Sequence, residues 1–538
     1  MRGLIITFLT AVAVSAQSPE KQSQVDRIFS EFNNHTPGCS VGVAQSGTVV
    51  LQAGYGMADL ERHVPISPAT IFESGSVAKQ FTGAALLLLA QQGKISLDDP
   101  LRKYLPELPD YGKPLTIRHV LSHTSGLREW RSIAEYRGLP EGRLVYNNQD
   151  LLEIASTQHG LNFDPGTRYS YTNTGFNIST ILVERALGNG KTFQDFTREM
   201  IFTPLGMTHS RWRDDYRAVV PDRALAYDRS PGGTWVQDTP VENIIGAGGL
   251  LTNVGDLLLW NENFTHSRVG GPALVKAQQT PAVLADGHTI SYAVGLAIDT
   301  VDGQPEVSHG GATGGYRTWL GRYPEQGVSI AVLCNASPAN PQKLGRETAR
   351  LWTGPAPAKP PQPSYAPDPA RLESLAGMYR NLLDNTIVEL KAGNGKLSGG
   401  QPGEWTAVTA SEFVSPNGRH AYFQDGPPVR LRVVTPDGET PFERVAPAHP
   451  TPADLAAFFG KYESSETGSA LTIAAGQKPE ELAMRIGPGA AVALRPTFQD
   501  TFATGSGAIH FMRDSSGKVT GLSAGDSRTW DLRFDRVH

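Results

Sequence analysis

Apolar residues run almost without a break from Phe81 to Ala90, and Gln91-Gln92-Gly93 then ends the run. A stretch apolar on every side reads as a helix buried in a core, with Gly93 as its C-cap. Upstream, Val41 to Ala53 alternates around Ser46-Gly47 and predicts a hairpin of two strands. Strand patterns return at Ser291–Ile298, Glu306–His309, Arg317–Tyr323 and Val328–Asn335, and a helix is predicted over Gln342–Trp352. Between Ser76 and about Trp260 the pattern is one of helices and loops. Strands at both ends of a segment with helices between them predict one sheet built from both ends, helices packed on its faces.

The pattern then changes. Gly354 to Pro369 holds seven prolines in sixteen residues, a semi-rigid linker. Beyond it, signatures recur. Gly377-Met378-Tyr379 matches Gly460-Lys461-Tyr462, Phe413 and Phe423 match Phe502 and Phe511, and Phe442-Glu443-Arg444-Val445 matches Phe534-Asp535-Arg536-Val537. Short alternating segments between these anchors, broken by turns such as Ala392-Gly393-Asn394-Gly395, predict small antiparallel barrels. One sandwich of two sheets also satisfies the strand spacing; the repeated openings and endings favour two units. The organisation read from the chain is a leader over 1–16, a catalytic domain over 17–353, a Pro-rich linker over 354–370, and barrels over 371–446 and 453–538.

Composition narrows the function classes. The chain has 538 residues and a net charge of −5, without a long basic run, which argues against nucleic acid or an anionic membrane as the main partner. Arg2, the apolar Leu4–Val14 and Val14-Ser15-Ala16 read as a signal peptide cut after Ala16, and so as a secreted or periplasmic protein. No later segment is long enough to span a bilayer. With only Cys39 and Cys334, and with 13 histidines lacking a close ligand pair, no metal site and no cofactor is predicted. Oligomeric state is left open.

Chemistry enters at Ser76-Val77-Ala78-Lys79. Residues three apart share a helix face, so the Ser76 hydroxyl and the Lys79 amine can meet. The helix N-terminus favours developing negative charge at Ser76, and burial would bring Lys79 toward a neutral base. Tyr171-Thr172-Asn173 follows a Pro165-Gly166 turn, and His309-Gly310-Gly311-Ala312 follows an apolar strand. This ordered set resembles the serine β-lactamase and penicillin-binding-protein superfamily, and within it the class C β-lactamase-like branch that holds esterases and D-aminopeptidases. The stretches Leu115–Leu127 and Gly248–Thr252 add to the likeness, which covers about 25 to 352.

That resemblance implies an α/β (α+β) catalytic domain, an antiparallel sheet flanked by helices, followed by two small antiparallel β-barrels. It implies acyl transfer through Ser76, with Lys79 and Tyr171 sharing the proton work and Tyr171 as the base. The residues by themselves leave open which of the two holds the proton. Asn173 would bond Lys79 or the substrate amide, His309 and Gly311 would line the substrate, and the N–H groups of Ser76 and Ala312 would hold the oxyanion. His123 reads as structural, holding a turn. In the superfamily's fold the first and last strands are neighbours, so Cys39 and Cys334 are expected to face each other; of bond and contact, the reading favours two free buried thiols.

The third motif departs from β-lactamases, which carry Lys-Thr/Ser-Gly there. A mostly neutral His309 and a bare Gly310 weaken carboxylate recognition at that point. The implied function is a secreted serine hydrolase of peptide or amide bonds, similar to D-aminopeptidases and acting on a small molecule or short peptide. A carboxylesterase, and a β-lactamase or penicillin-binding sensor, are the alternatives. In the D-aminopeptidase group a loop of the last barrel reaches the active site and sets a preference for a free amino terminus. Glu463, Glu466 and Asp500 are the candidates for binding that ammonium here.

Overall fold

The alternation around Ser46-Gly47 does form a hairpin, β1 (Cys39–Gln45) and β2 (Thr48–Tyr55), in a computed structural model that describes residues 19–140, 142, 144–355, 365–400 and 403–537. The leader over 1–16 and residues 356–364 of the Pro-rich linker lie outside the described residues. The later strands are β3 (Ala297–Val301), β4 (Gln304–Thr313), β5 (Tyr316–Tyr323) and β6 (Val328–Cys334). All six form one antiparallel sheet in the order β3-β4-β5-β6-β1-β2, so the two ends of the segment close it.

β1 and β6 are buried along nearly their whole length, as central strands covered on both faces. Helix α1 (Lys79–Gln91) and helix α4 (Thr174–Leu187) share the largest hydrophobic cluster with one face of the sheet. Helix α5 (Pro341–Thr353) covers the opposite face around Trp319 and Val332. Between α1 and α4 lie α2 (Trp130–Tyr136) and α3 (Asn148–Ser156).

Register pairs Cys39 directly with Cys334, with Cα atoms 4.0 Å apart, and the two are joined as a disulfide. The juxtaposition follows from the strand order. The expectation of free thiols is corrected: both sulfurs sit in a dry core facing one another, the arrangement a bond requires.

Ser291–Ile298 is a second correction. Its first six residues form a turn, and the strand begins only at Ala297. Gly295 adopts φ +71°, and a Cβ there would stand 2.7 Å from the Lys79 carbonyl carbon and the Gln80 nitrogen. The apolar residues are buried because the turn packs on α1, not because they lie in a sheet.

Past the linker, each half of the tail closes into a barrel of eight antiparallel strands in sequential order, over Gly377–Val445 and Gly460–Val537. The repeat signatures occupy equivalent places: Tyr379 and Tyr462 on the first strands, Phe413 and Phe502 on the fifth, Phe423 and Phe511 on the sixth. Each barrel opens on a short helix that the strand-only reading lacks, Pro369–Leu375 and Pro452–Ala456. The buried tyrosine of each first strand donates its hydroxyl to a carbonyl there, Leu375 at 2.8 Å and Phe458 at 2.7 Å.

The barrels relate differently to the catalytic domain. The first keeps its own hydrophobic core. The second shares one with α2 and α3: Trp130, Ile133 and Tyr136 pack in the same cluster as Tyr462, Phe511 and Phe534. Arg128, buried, bonds the Glu466 carboxylate of the second barrel at 2.8 Å.

Candidate active site

Ser76 lies in a single 3-10 turn, Gly75–Ala78, that leads into α1. The strand before it, Phe72–Glu73, pairs with Leu250–Thr252, the predicted Gly248–Thr252 stretch. Arg213 grips Glu73 with two bonds of 2.8 and 3.0 Å and reaches Glu242 at 3.2 Å, all three buried. Charge pairs of this kind fix geometry because any displacement strands a buried charge.

Lys79, one turn on, points its amine at three oxygens: Ser76 Oγ at 3.0 Å, Asn173 Oδ1 at 2.8 Å and the Ala247 carbonyl at 3.0 Å. A neutral amine satisfies this set, donating to Asn173 and Ala247 and accepting from the Ser76 hydroxyl. Burial pulls the amine well below its ordinary value; Arg131 and Arg528 add to the fall, and Glu129 opposes it. Tyr171 lines the cleft beside Ser76, and its phenol moves up, chiefly by burial, with Ser76 and Arg528 pulling the other way. The resemblance implies a Tyr171 lowered by Lys79; in this site burial outweighs that effect.

His309 faces the same cleft from β4. Burial lowers it to about 4, so the ring is neutral at pH 7. Its Nδ1 lies 2.6 Å from the Gly310 carbonyl and must donate to it, which leaves Nε2 to accept the Tyr292 hydroxyl at 3.0 Å. Next to it, β4 presses on the turn that holds Ser76. A Cβ on Gly311 would stand 2.1 Å from Ser74 O and 2.2 Å from Thr318 Oγ1. Only glycine permits that approach, which brings Ala312 to the cleft wall beside Ser76.

All seven residues expected at the site thus gather around α1, and six of them line one cleft of about 770 Å³ with Lys79 buried beneath. Among the described residues, no group of three or more His, Cys, Asp and Glu side chains is placed to hold a metal. His123 is buried, accepts the Thr172 N–H at 3.3 Å, and packs its ring 4.1 Å from that of Tyr171.

Three residues escape a reading of the sequence. Glu129, buried ahead of α2, accepts the Asn173 backbone N–H at 2.7 Å and its side-chain amide at 3.2 Å, aiming Asn173 Oδ1 at Lys79. Tyr292 orients His309. Arg528, on the last turn of the second barrel, lies 5.1 Å over the Tyr171 ring and lines the cleft. The motif residues and the glycines after His309 were legible; these three were not, because nothing local marks them.

That same turn is clamped to the catalytic domain. Asn162 donates to the Arg528 carbonyl at 2.8 Å and accepts from the Trp530 N–H at 2.9 Å, and the Glu129 N–H donates to Thr529 Oγ1 at 3.2 Å. The three acidic candidates for an ammonium are elsewhere. Glu466 pairs with Arg128, Glu463 with Lys461 and Asp500 with Arg513, and none lines the cleft.

Comparison with known proteins adds to this geometry. The model of the Beta-lactamase family matches residues 25–354. A D-aminopeptidase of Gluconobacter oxydans (strain 621H) is 30% identical over 304 residues, 56% of this chain and 56% of that protein. A D-aminopeptidase of Brucella canis is 30% identical over 335 residues, 61% of this chain and 62% of the relative. The matches therefore span less than two thirds of these curated relatives. Among solved structures, the octameric penicillin-binding protein homologue from Pyrococcus abyssi shares the fold, with TM-score 0.57 and 24% identity over 79% of this chain and 99% of its own.

Proposed function

Because this chain belongs to the Beta-lactamase family, we propose that it is a serine hydrolase that cleaves peptide or amide bonds through an acyl-enzyme on Ser76. The observation that carries the reading is the relay Glu129–Asn173–Lys79–Ser76, each link a hydrogen bond of 3.2 Å or less. Lys79, held neutral, takes the Ser76 proton as Oγ adds to the carbonyl carbon. The N–H groups of Ser76 and Ala312 receive the oxyanion. The proton taken by Lys79 passes through the Tyr171 hydroxyl, which gives its own to the departing amine and is reprotonated from Lys79. Water then adds to the acyl carbon, its proton returning to Ser76 Oγ by the same path, and releases the acyl group. Asn173 and His309 hold the substrate and the amine in place. The names of the D-aminopeptidase relatives support amides of D-residues as the substrate class. We read the protein as exported, to the periplasm or beyond; the apolar leader and the Cys39–Cys334 bond support that reading.

The test is a fluorophosphonate label and a substrate panel on the purified full chain: D-alanine p-nitroanilide, its N-acylated forms, short-chain nitrophenyl esters and a chromogenic cephalosporin. Labelling at Ser76, anilide turnover and a loss of about 10³-fold or more in Ser76→Ala are expected. Hydrolysis undiminished in that variant would falsify the assignment. Ester turnover without anilide turnover moves the reading to a carboxylesterase.

A further inference from the structure

The charge around the cleft does not suit a free amino terminus. Among the described residues its charged lining consists of Arg131, Arg317, Arg528 and one carboxylate, Glu242, which is already bonded to the buried Arg213. His309 in the same wall is neutral at pH 7. The three arginines come from α2, β5 and the last turn of the second barrel, so the field over Ser76 is set by parts far apart in sequence. Clefts lined by one sign of charge concentrate ligands of the other.

Arg528 is the arginine placed to read a ligand. Its turn is fixed by Asp526, which accepts the Arg528 and Thr529 N–H groups at 2.7 and 2.9 Å, and by the Asn162 clamp. Its guanidinium rests over the Tyr171 ring, is exposed, and among the described residues forms no ion pair. A guanidinium carried on an aromatic face keeps its planar fork of N–H donors for a carboxylate, which it binds in bidentate fashion.

Beyond Tyr171 and Arg528 a second cleft of about 750 Å³ is lined by Arg168 and by Asp286, Asp384, Asp437 and Glu439; Asp286 accepts the His288 N–H at 2.9 Å. Those acids are engaged. Asp437 accepts the Ser291 N–H and hydroxyl, Asp384 accepts from Thr386, and Glu439 pairs with Arg432. Arg528, 5.1 Å from the Tyr171 ring, stands where the two clefts meet.

We infer that the substrate carries a carboxylate, read by Arg528 from the second barrel. This specifies the substrate class of the amide hydrolase proposed above and rests on that reading for the site. It differs from recognition at the third motif, where His309 and Gly310 supply no cation. Two kinds of amide meet the requirement: one whose acyl side ends in a carboxylate, such as an N-succinyl-D-alanine amide, and one with the carboxylate on the carboxyl side, such as N-acetyl-D-alanine and its peptides.

Calorimetric titration of the full-length Ser76→Ala protein tests the inference apart from catalysis. The ligands are N-succinyl-D-alanine amide, N-acetyl-D-alanine, neutral N-acetyl-D-alanine amide and cationic D-alanine amide. At least one carboxylate is expected to bind about tenfold tighter than the neutral ligand, and which one does so gives the side on which the charge is read. Arg528→Gln should close that gap, and Arg528→Glu should turn the preference to D-alanine amide. Equal affinities across the series, tighter binding of the cation by the parent protein, or a gap untouched by Arg528→Glu overturns the inference. A wild-type protein that binds with this preference but turns nothing over refutes the catalytic reading and leaves this one standing.

Discussion

His309 ties the site's chemistry to the protein's stability. Its imidazole is depressed to about 4 in the folded chain and returns to about 6.5 on unfolding. Between those values the unfolded chain binds the extra proton, so stability is complete above about pH 6.5 and falls as the pH drops toward 4. The loss is on the order of 3 kcal/mol across that window. Buried His123, lowered as well, acts in the same direction. Urea midpoints at pH 7 and pH 5 should therefore diverge, and the divergence should shrink in His309→Asn; an unchanged divergence would show that the ring is not held neutral. At this scale the sequence is a good guide where partners are near in the chain. Ser76 meets Lys79, and Tyr171 is announced by Asn173, because spacing alone brings them together. Glu129, Tyr292 and Arg528 reach the site through long-range packing, and no periodicity reports that.

Strand β4 shows how an element imposes geometry on a nucleophile. Gly310 and Gly311 are adjacent in sequence, yet a Cβ at Gly310 would meet nothing closer than Thr318 O at 3.8 Å, whereas one at Gly311 would collide with the Ser74 carbonyl. Gly311→Ala should push β4 off the Ser76 turn, costing about 1–3 kcal/mol and roughly 100-fold in turnover through lost alignment. Gly310→Ala should fold with nearly unchanged stability. Denaturation midpoints and kcat for the pair check this, and equal losses would remove the steric argument. The strands themselves were legible wherever alternation or an unbroken apolar run met a turn, as in β1, β2 and β6. Ser291–Leu296 was not, since apolar residues that bury a turn against α1 carry the same pattern as a strand. The barrels were legible through their repeated Gly-x-Tyr openings, which recur because each first strand needs the same tyrosine against the same short helix.

For the molecule as a whole, the second barrel brings Arg528 to the cleft of Ser76, and the first, with a core of its own, lines the cleft next to it. Glu466 is the joint: its carboxylate meets Arg128 at 2.8 Å and the Gly160 N–H at 3.1 Å, and its carbonyl accepts from Thr157 and Gln158. Glu466→Ala leaves Arg128 buried without its partner, at a cost of about 3–5 kcal/mol. Hydrogen exchange should then rise in α2 and in the Asp526–Thr529 turn together, with the first barrel unaffected; protection lost only at the site of substitution would mean the barrel is held by other contacts. The shared core also sets a problem of timing. Trp130, Ile133 and Tyr136 are made early, and the barrel that covers them follows only after the whole first barrel has been synthesised. At about 5–20 residues per second a ribosome needs tens of seconds to cover that distance. Throughout that interval the nascent chain shows an uncovered apolar helix face and has no Arg528 over Tyr171. Shielding of that face during synthesis should therefore raise the yield of folded protein, and the mouth of the cleft is complete only once the last barrel has closed.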